Sequence, residues 1–128
     1  MKLLLDTCTF LWLTTTPDRL SEHARELFQE PTNACYLSAA SVWEIAIKYG
    51  LKRLPLPAQP SRFVPEARQA HGVESLPIEE VATAHVAQLP ALHRDPFDRL
   101  LVSQAIVHGL TLLTPDPVIT RYPCLTTW

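Results

Sequence analysis

Four acidic residues occupy positions from which their carboxylates could form one metal site. Asp6 and Asp116 each closely follow a short apolar run, as expected of residues just beyond the end of a buried strand. Glu44 and Asp98 lie in segments with the apolar periodicity of helices. Clustered carboxylates hold protons unless a cation neutralises them, and oxygen ligands favour Mg²⁺ or Mn²⁺. Such an ion can orient and deprotonate a water and stabilise charge on phosphorus, so the four acids predict phosphodiester hydrolysis.

Asp98 gives the clearest functional signal of the four. The residues three, four, seven and eight positions later share its helical face, and all are apolar: Leu101, Val102, Ala105 and Ile106. A solvated acid belongs on the opposite face, so this placement favours a function. The nearby Asp95 is better explained by structure, because Asp95-Pro96 is an N-cap followed by proline at the first helical position. Asp95 could also serve as an outer-shell group.

The other three acids also have structural interpretations. Asp6 could cap the next helix, and Asp116 lies between two prolines, where an aspartate suits a turn. Glu44 would close a capping box if its helix began at Ser41, whereas capping by Ser38 would place it in the second turn. In that second case a buried helix has to accommodate a carboxylate, and a bound cation is one reason for it. The sequence leaves these alternatives open.

Composition predicts one globular domain over residues 1–128. Hydrophobic residues make up 47% of the chain, enough for a continuous core, and the formal net charge is -2. This charge excludes a general basic surface, so phosphate contacts would be local, from the basic residues near the acids: Lys48, His93, Arg94 and Arg99. Any one of them alone is explained as solvated surface charge. Three widely spaced cysteines and the lack of a long apolar stretch predict a reduced, cytoplasmic protein without a membrane span.

Strand and helix patterns alternate along the chain. Strands are predicted at Lys2–Leu5, Ala34–Leu37, Val73–Leu76, Leu110–Thr114 and Cys124–Thr127. Helices, with their caps, are predicted at Thr9–Leu13, Ser21–Glu30, Ser38–Leu51, Ser61–His71, Ile78–Gln88 and Asp95–His108. Because parallel strands need helical crossovers, the alternation predicts an α/β fold with a mostly parallel sheet covered on both faces. Ligands bind such sheets at the carboxyl ends of the strands, where Asp6 and Asp116 are expected.

Four segments resemble the successive motifs of PIN-domain proteins, close to the VapC-type toxins of bacterial toxin-antitoxin pairs. In order along nearly the whole chain they are Leu3–Thr7, Ser38–Lys48, His93–Leu101 and Leu113–Asp116. The resemblance implies a doubly wound α/β/α sandwich and a Mg²⁺- or Mn²⁺-dependent endoribonuclease that cuts RNA. The family's acidic quartet falls on Asp6, Glu44, Asp98 and Asp116.

The same resemblance implies partners. It implies a homodimer, and a small antitoxin protein that packs on the toxin's apolar surface and places a side chain near the acidic pocket. One position departs from the subgroup, because Cys8 stands where relatives often carry histidine after Asp-Thr. That departure concerns only a residue beside the acids.

Three other classes of protein need residues that this chain lacks. A phosphatase of the haloacid dehalogenase kind needs a second acid two residues after the first, where this chain has Cys8. A receiver-like phosphorylation domain needs paired acids at its first strand. A dinucleotide-binding dehydrogenase needs a glycine-rich loop, which Gly50, Gly72 and Gly109 cannot form. The remaining alternative is a catalytically silent PIN-like interaction module, whose acids bind metal or nothing.

Overall fold

Five short strands form one sheet in which every neighbouring pair runs parallel. The computed structural model describes residues 1–128. In chain order the strands are Lys2–Leu5 (β1), Ala34–Ser38 (β2), Val73–Leu76 (β3), Thr111–Leu113 (β4) and Thr126–Thr127 (β5). Their order across the sheet is β3-β2-β1-β4-β5. The chain therefore moves outward from β1 in one direction and returns to its other side at β4, which confirms the doubly wound arrangement.

Six α-helices connect and cover the strands. They are Thr7–Thr15 (α1), Glu22–Gln29 (α2), Ala39–Gly50 (α3), Pro60–Ala70 (α4), Glu80–His85 (α5) and Pro96–His108 (α6). Three short 3₁₀ turns lie at Pro17–Arg19, Val86–Gln88 and Ile119–Arg121. None of the helices combines the length and apolar character that a bilayer span requires.

The leucines of β1 show why both faces of the sheet are buried. Leu3 and Leu5 pack into a cluster with side chains of α1 to α4, whereas Leu4 packs into a second cluster with α6. All three are 0% exposed. Successive side chains of a strand point to opposite faces of the sheet. Because helices cover both faces here, every position of the run is apolar. Burial of each leucine contributes roughly 1.5–3 kcal/mol, and the α/β/α sandwich is confirmed.

The best predicted helix is α6. Asp95 is its N-cap, Pro96 its first residue, and Gly109 ends it with φ 65°, in the left-handed region that glycine adopts without strain. The start of α3 decides between the two caps proposed for it, because the Ser38 hydroxyl accepts a hydrogen bond from the Ala40 amide. Glu44 therefore lies in the second turn, beyond any capping role.

Several predicted boundaries differ from the structure. α1 begins at Thr7 rather than Thr9, because the Asp6 carboxylate accepts the Thr9 amide and caps the helix earlier. α5 begins only at Glu80, since Glu79 is still extended, and its last residues tighten into the 3₁₀ turn instead of continuing to Gln88. β5 has two residues where four were predicted.

The register of the sheet places the C-terminal ends of β1 and β4 side by side. Leu5 at the end of β1 pairs with Leu37 on one side and with Leu113 at the end of β4 on the other. The next residues along these two strands are Asp6 and Thr114. They adjoin across the point where the strand order reverses, which is where ligands bind in open α/β sheets.

Candidate functional site

Asp6 is held rigidly at the end of β1. Its Oδ1 accepts the Thr9 amide at 2.9 Å, and its Oδ2 accepts the hydroxyl of Thr114. The residue is 4% exposed and lines an acidic pocket. The N-cap interpretation is therefore confirmed, and it coexists with a place in the pocket, because a carboxylate oxygen can accept more than one partner.

Glu44 reaches the same pocket from α3. The residue is 5% exposed, its Oε1 lies 2.6 Å from Thr7 Oγ1, and its Oε2 lies 2.6 Å from Lys48 Nζ. A carboxylate only accepts, so the single Thr7 hydroxyl hydrogen goes to Glu44. The Ser41 hydroxyl, 3.0 Å from Thr7 Oγ1, then donates to Thr7. This chain of buried hydroxyls fixes the orientation of Glu44.

Asp98 and Asp116 are joined by His93. Its Nε2 lies 3.1 Å from Asp98 Oδ2 and 3.3 Å from Asp116 Oδ2. The Asp95 amide donates to His93 Nδ1 at 3.2 Å, so Nδ1 is the acceptor and Nε2 carries the hydrogen. In this arrangement His93 donates to two carboxylates that would otherwise repel each other.

The carboxyl group of Asp98 lies in surroundings that disfavour its charged form. Burial, followed by the neighbouring charges of Asp95 and Glu44, raises the pKa of Asp98 from 3.8 to about 7, and the nearby His93 acts in the lowering direction. A carboxyl group with this pKa is one that its surroundings do not neutralise. The cluster is short of positive charge, which is the condition that a bound cation relieves.

Asp95 and Cys8 lie at the margin of the cluster. Asp95 Oδ1 accepts the Phe97 amide at 2.8 Å, which confirms its N-cap role, and the residue also lines the pocket. Cys8 Sγ lies 3.3 Å from Asp6 Oδ1. Burial, and then the charge of Asp6, raise the pKa of the Cys8 thiol to about 12. The thiol therefore stays protonated at neutral pH in the metal-free protein.

The acidic pocket has a volume of about 250 Å³ and draws its lining from both halves of the chain. Its nine residues are Asp6, Thr7, Cys8, Leu11, Glu44, Lys48, Asp95, Asp98 and Asp116. All four acids singled out in the sequence are therefore brought together.

The four basic residues singled out in the sequence lie in different environments in the structure. Lys48 lines the pocket with its side chain 51% exposed, His93 bridges two of the acids, and Arg94 is exposed. Arg99 instead donates to the carbonyls of Pro90 and Val86. That guanidinium anchors the loop before α6, which is a different role from the phosphate contact suggested by the sequence.

Sequence reasoning missed the hydroxyl groups that hold the acids. Thr7 supports Glu44, Thr114 supports Asp6, and the Tyr122 hydroxyl accepts the His93 amide at 2.8 Å. Thr114 carries a usable signal, because it follows β4 directly as Asp6 follows β1. Tyr122 lies far from the motifs in the chain, and no local pattern marks it.

The donor atoms fit a hard divalent cation. One ligand atom from each of His93, Asp98 and Asp116 lies within 4.8 Å of the others, and Asp6 and Glu44 add carboxylate oxygens to the same pocket. Carboxylates suit Mg²⁺ and Mn²⁺, whereas His93, whose Nε2 carries the hydrogen, serves as a hydrogen-bond donor beside them. The site can therefore hold a cation beside a space large enough for a phosphate group.

Part of this chain is similar in sequence to a known ribonuclease. Ribonuclease VapC16 of Mycobacterium tuberculosis is 41% identical over 61 residues, which are 48% of this chain and 43% of that protein. The match thus spans less than half of the curated relative.

Two solved structures share the fold. VapBC2 of Rickettsia felis, bound to a DNA fragment from its promoter, superposes with a TM-score of 0.74 at 19% identity, covering 99% of this chain and 98% of that one. DNA-bound VapBC of Salmonella typhimurium gives 0.69 at 22% identity, covering 98% and 96%. At these identities the likeness is one of fold alone.

The family comparison extends over most of the chain. The sequence profile described as PIN domain matches residues 3–123, which include all five acids of the pocket. This chain belongs to the PIN-domain family.

Proposed function

We propose that this chain is a metal-dependent endoribonuclease that hydrolyses RNA phosphodiesters. The observation that carries the proposal is the convergence of Asp6, Glu44, Asp98 and Asp116 in one pocket at the reversal point of a parallel sheet. The name of the curated relative, a ribonuclease, supports the same activity. Asp98, whose pKa is raised to about 7, points to a cation as the missing partner of these acids.

Asp98 and Asp116 would hold Mg²⁺ or Mn²⁺ as the central pair, and Asp6 and Glu44 line the same pocket beside them. When bound, such an ion supplies an activated water and stabilises the negative charge that develops at phosphorus. His93 orients the central pair, and Asp95 supports Asp98 from outside by capping its helix. Arg94 is exposed and free to approach the RNA backbone.

We further propose that the chain is the toxin of a toxin-antitoxin pair, acting in the cytoplasm. The two VapBC neighbours, which are toxin-antitoxin complexes, support a small antitoxin partner. Trp43, Ile47 and Leu51, at successive four-residue steps along and just past α3, are 60%, 39% and 58% exposed. An apolar stripe of this kind is suited to a protein contact, whether with the antitoxin or in a homodimer.

The test is RNA cleavage by the purified chain. With Mn²⁺ or Mg²⁺ we expect endonucleolytic fragments from a broad pool of cellular RNA, complete loss of cleavage with EDTA, and loss in Asp6→Asn and Asp98→Asn. Asp18→Asn, an exposed acid outside the pocket, is the matched control and should cleave normally.

A different outcome would identify the silent interaction module. If the chain binds metal but leaves all RNA intact, and expression of Asp98→Asn slows growth as much as expression of the wild type, the nuclease proposal fails. The acids would then serve binding alone.

A further inference from the structure

Glu44 differs from the other pocket acids because a cation already lies on it. Its Oε2 is 2.6 Å from the Lys48 ammonium, and its Oε1 accepts the Thr7 hydroxyl at 2.6 Å. Both of its oxygens are thus engaged. Asp98 and Asp116, by contrast, share the single N–H of His93 between them, and Asp116 Oδ1 also accepts the Val118 amide, so neither acid lies against a lysine or arginine.

The position of Lys48 on α3 favours its ion pair with Glu44. It lies four residues after Glu44 on α3, the spacing at which helical side chains meet, with glutamate on the favourable N-terminal side. The ammonium contacts Glu44 and lines the same pocket as Asp95 and Asp98, so Lys48 lies in the electrostatic field of the whole cluster.

We propose that Lys48 takes the place of a second divalent cation at Glu44, so that the pocket binds one metal ion per chain, on the side of Asp98 and Asp116. The inference rests on the proposed metal-dependent function and concerns how many ions that site holds. Magnesium coordinates carboxylate oxygen at about 2.0–2.1 Å, and an ammonium 2.6 Å from the same oxygen excludes it from that side.

Removal of the ammonium should reverse the exclusion. Glu44 is 5% exposed, so without Lys48 its Oε2 becomes a buried carboxylate oxygen with no partner facing the pocket. Such a group is costly and recruits a cation. Lys48→Met, which keeps the length of the side chain and loses the charge, should therefore open a second metal position.

The experiment counts bound Mn²⁺ by calorimetric titration and by electron paramagnetic resonance of the free ion at pH 8. We expect about one Mn²⁺ per chain for the wild type and for Lys48→Arg, and about two for Lys48→Met. Lys52→Met, the same charge loss at an exposed position outside the pocket, is the matched control and should bind one. Circular dichroism verifies folding, and Lys48→Gln replaces Lys48→Met if the latter does not fold.

The outcomes separate this inference from the proposed function. Two ions in the wild type, or one ion in Lys48→Met or in the Lys48→Gln that replaces it, overturns the role of Lys48 even when RNA is cleaved. One ion in the wild type and two in Lys48→Met supports it even when no RNA is cleaved, in which case only the nuclease proposal fails. No detectable Mn²⁺ binding in any variant overturns both.

Discussion

The Thr114 hydroxyl donates a hydrogen bond to Asp6 Oδ2, joining the residues that directly follow β4 and β1. Its oxygen also accepts the Asp116 amide at 3.1 Å, and the residue is 1% exposed. One buried hydroxyl thus sets the relative position of two acids from opposite ends of the chain.

Replacement of Thr114 by valine should loosen both acids. The change keeps the side-chain shape but leaves the Asp116 amide and Asp6 Oδ2 without their partner, at a cost of roughly 1–3 kcal/mol in the free energy of unfolding. RNA cleavage should fall about 10- to 100-fold, as for other groups that orient metal ligands. Urea unfolding and initial cleavage rates measure the two effects. Thr114→Ser keeps the hydroxyl, and equal loss in both variants would contradict this role.

Replacement of Asp98 by asparagine should stabilise the metal-free protein, increasingly with pH. The folded-state pKa of Asp98 is about 7 and its ordinary value is 3.8, so between these values the unfolded chain releases a proton that the folded chain retains. Ionisation thus disfavours folding as pH rises. Removing the group should raise the free energy of unfolding by about 2 kcal/mol at pH 5 and up to about 4 kcal/mol at pH 8.

Urea titrations in EDTA at the two pH values measure this difference. Asp18→Asn provides the comparison, because that side chain is exposed and outside the pocket. A gain that does not grow with pH would show that Asp98 is not the group under electrostatic strain.

Divalent metal should stabilise the wild type and have little effect on Asp116→Asn. An ion that binds only the folded state at 100 times its dissociation constant adds about 2.7 kcal/mol. Thermal unfolding should therefore shift upward with Mn²⁺, return with EDTA, and shift little in Asp116→Asn. If Asp116→Asn is stabilised as much as the wild type, the ion binds elsewhere.

Tyr122→Phe should destabilise the loop that carries His93. The Tyr122 hydroxyl accepts the His93 amide at 2.8 Å and Arg99 Nη1 at 3.2 Å, and the residue is 4% exposed. Loss of this acceptor should cost roughly 1–3 kcal/mol. The midpoint of urea unfolding measures it, with Tyr49→Phe, on a partly exposed tyrosine, as the control. An unchanged midpoint would mean that the loop is held by other contacts.

The local patterns predicted some elements better than others for physical reasons. α6 was predicted with its cap, its proline and its terminal glycine, because all of these signals act within one turn of helix. α5 was predicted too long, because the apolar pattern continues through residues where the backbone is extended or 3₁₀. The contacts of Arg99 were not predicted, since its carbonyl acceptors, Pro90 and Val86, lie in segments whose path the sequence does not show.

By itself the sequence determined the parallel α/β sandwich, because apolar periodicity is a local property. It also singled out the four acids as candidates, with Glu44 and Asp116 resting mainly on the resemblance to PIN-domain motifs. The tertiary structure alone decided how the acids are held. The Thr114 hydroxyl meets Asp6 across 108 positions of chain, and His93 bridges Asp98 and Asp116. Such contacts exist only once β1 and β4 are paired in register, since a hydrogen bond depends on distances that folding creates.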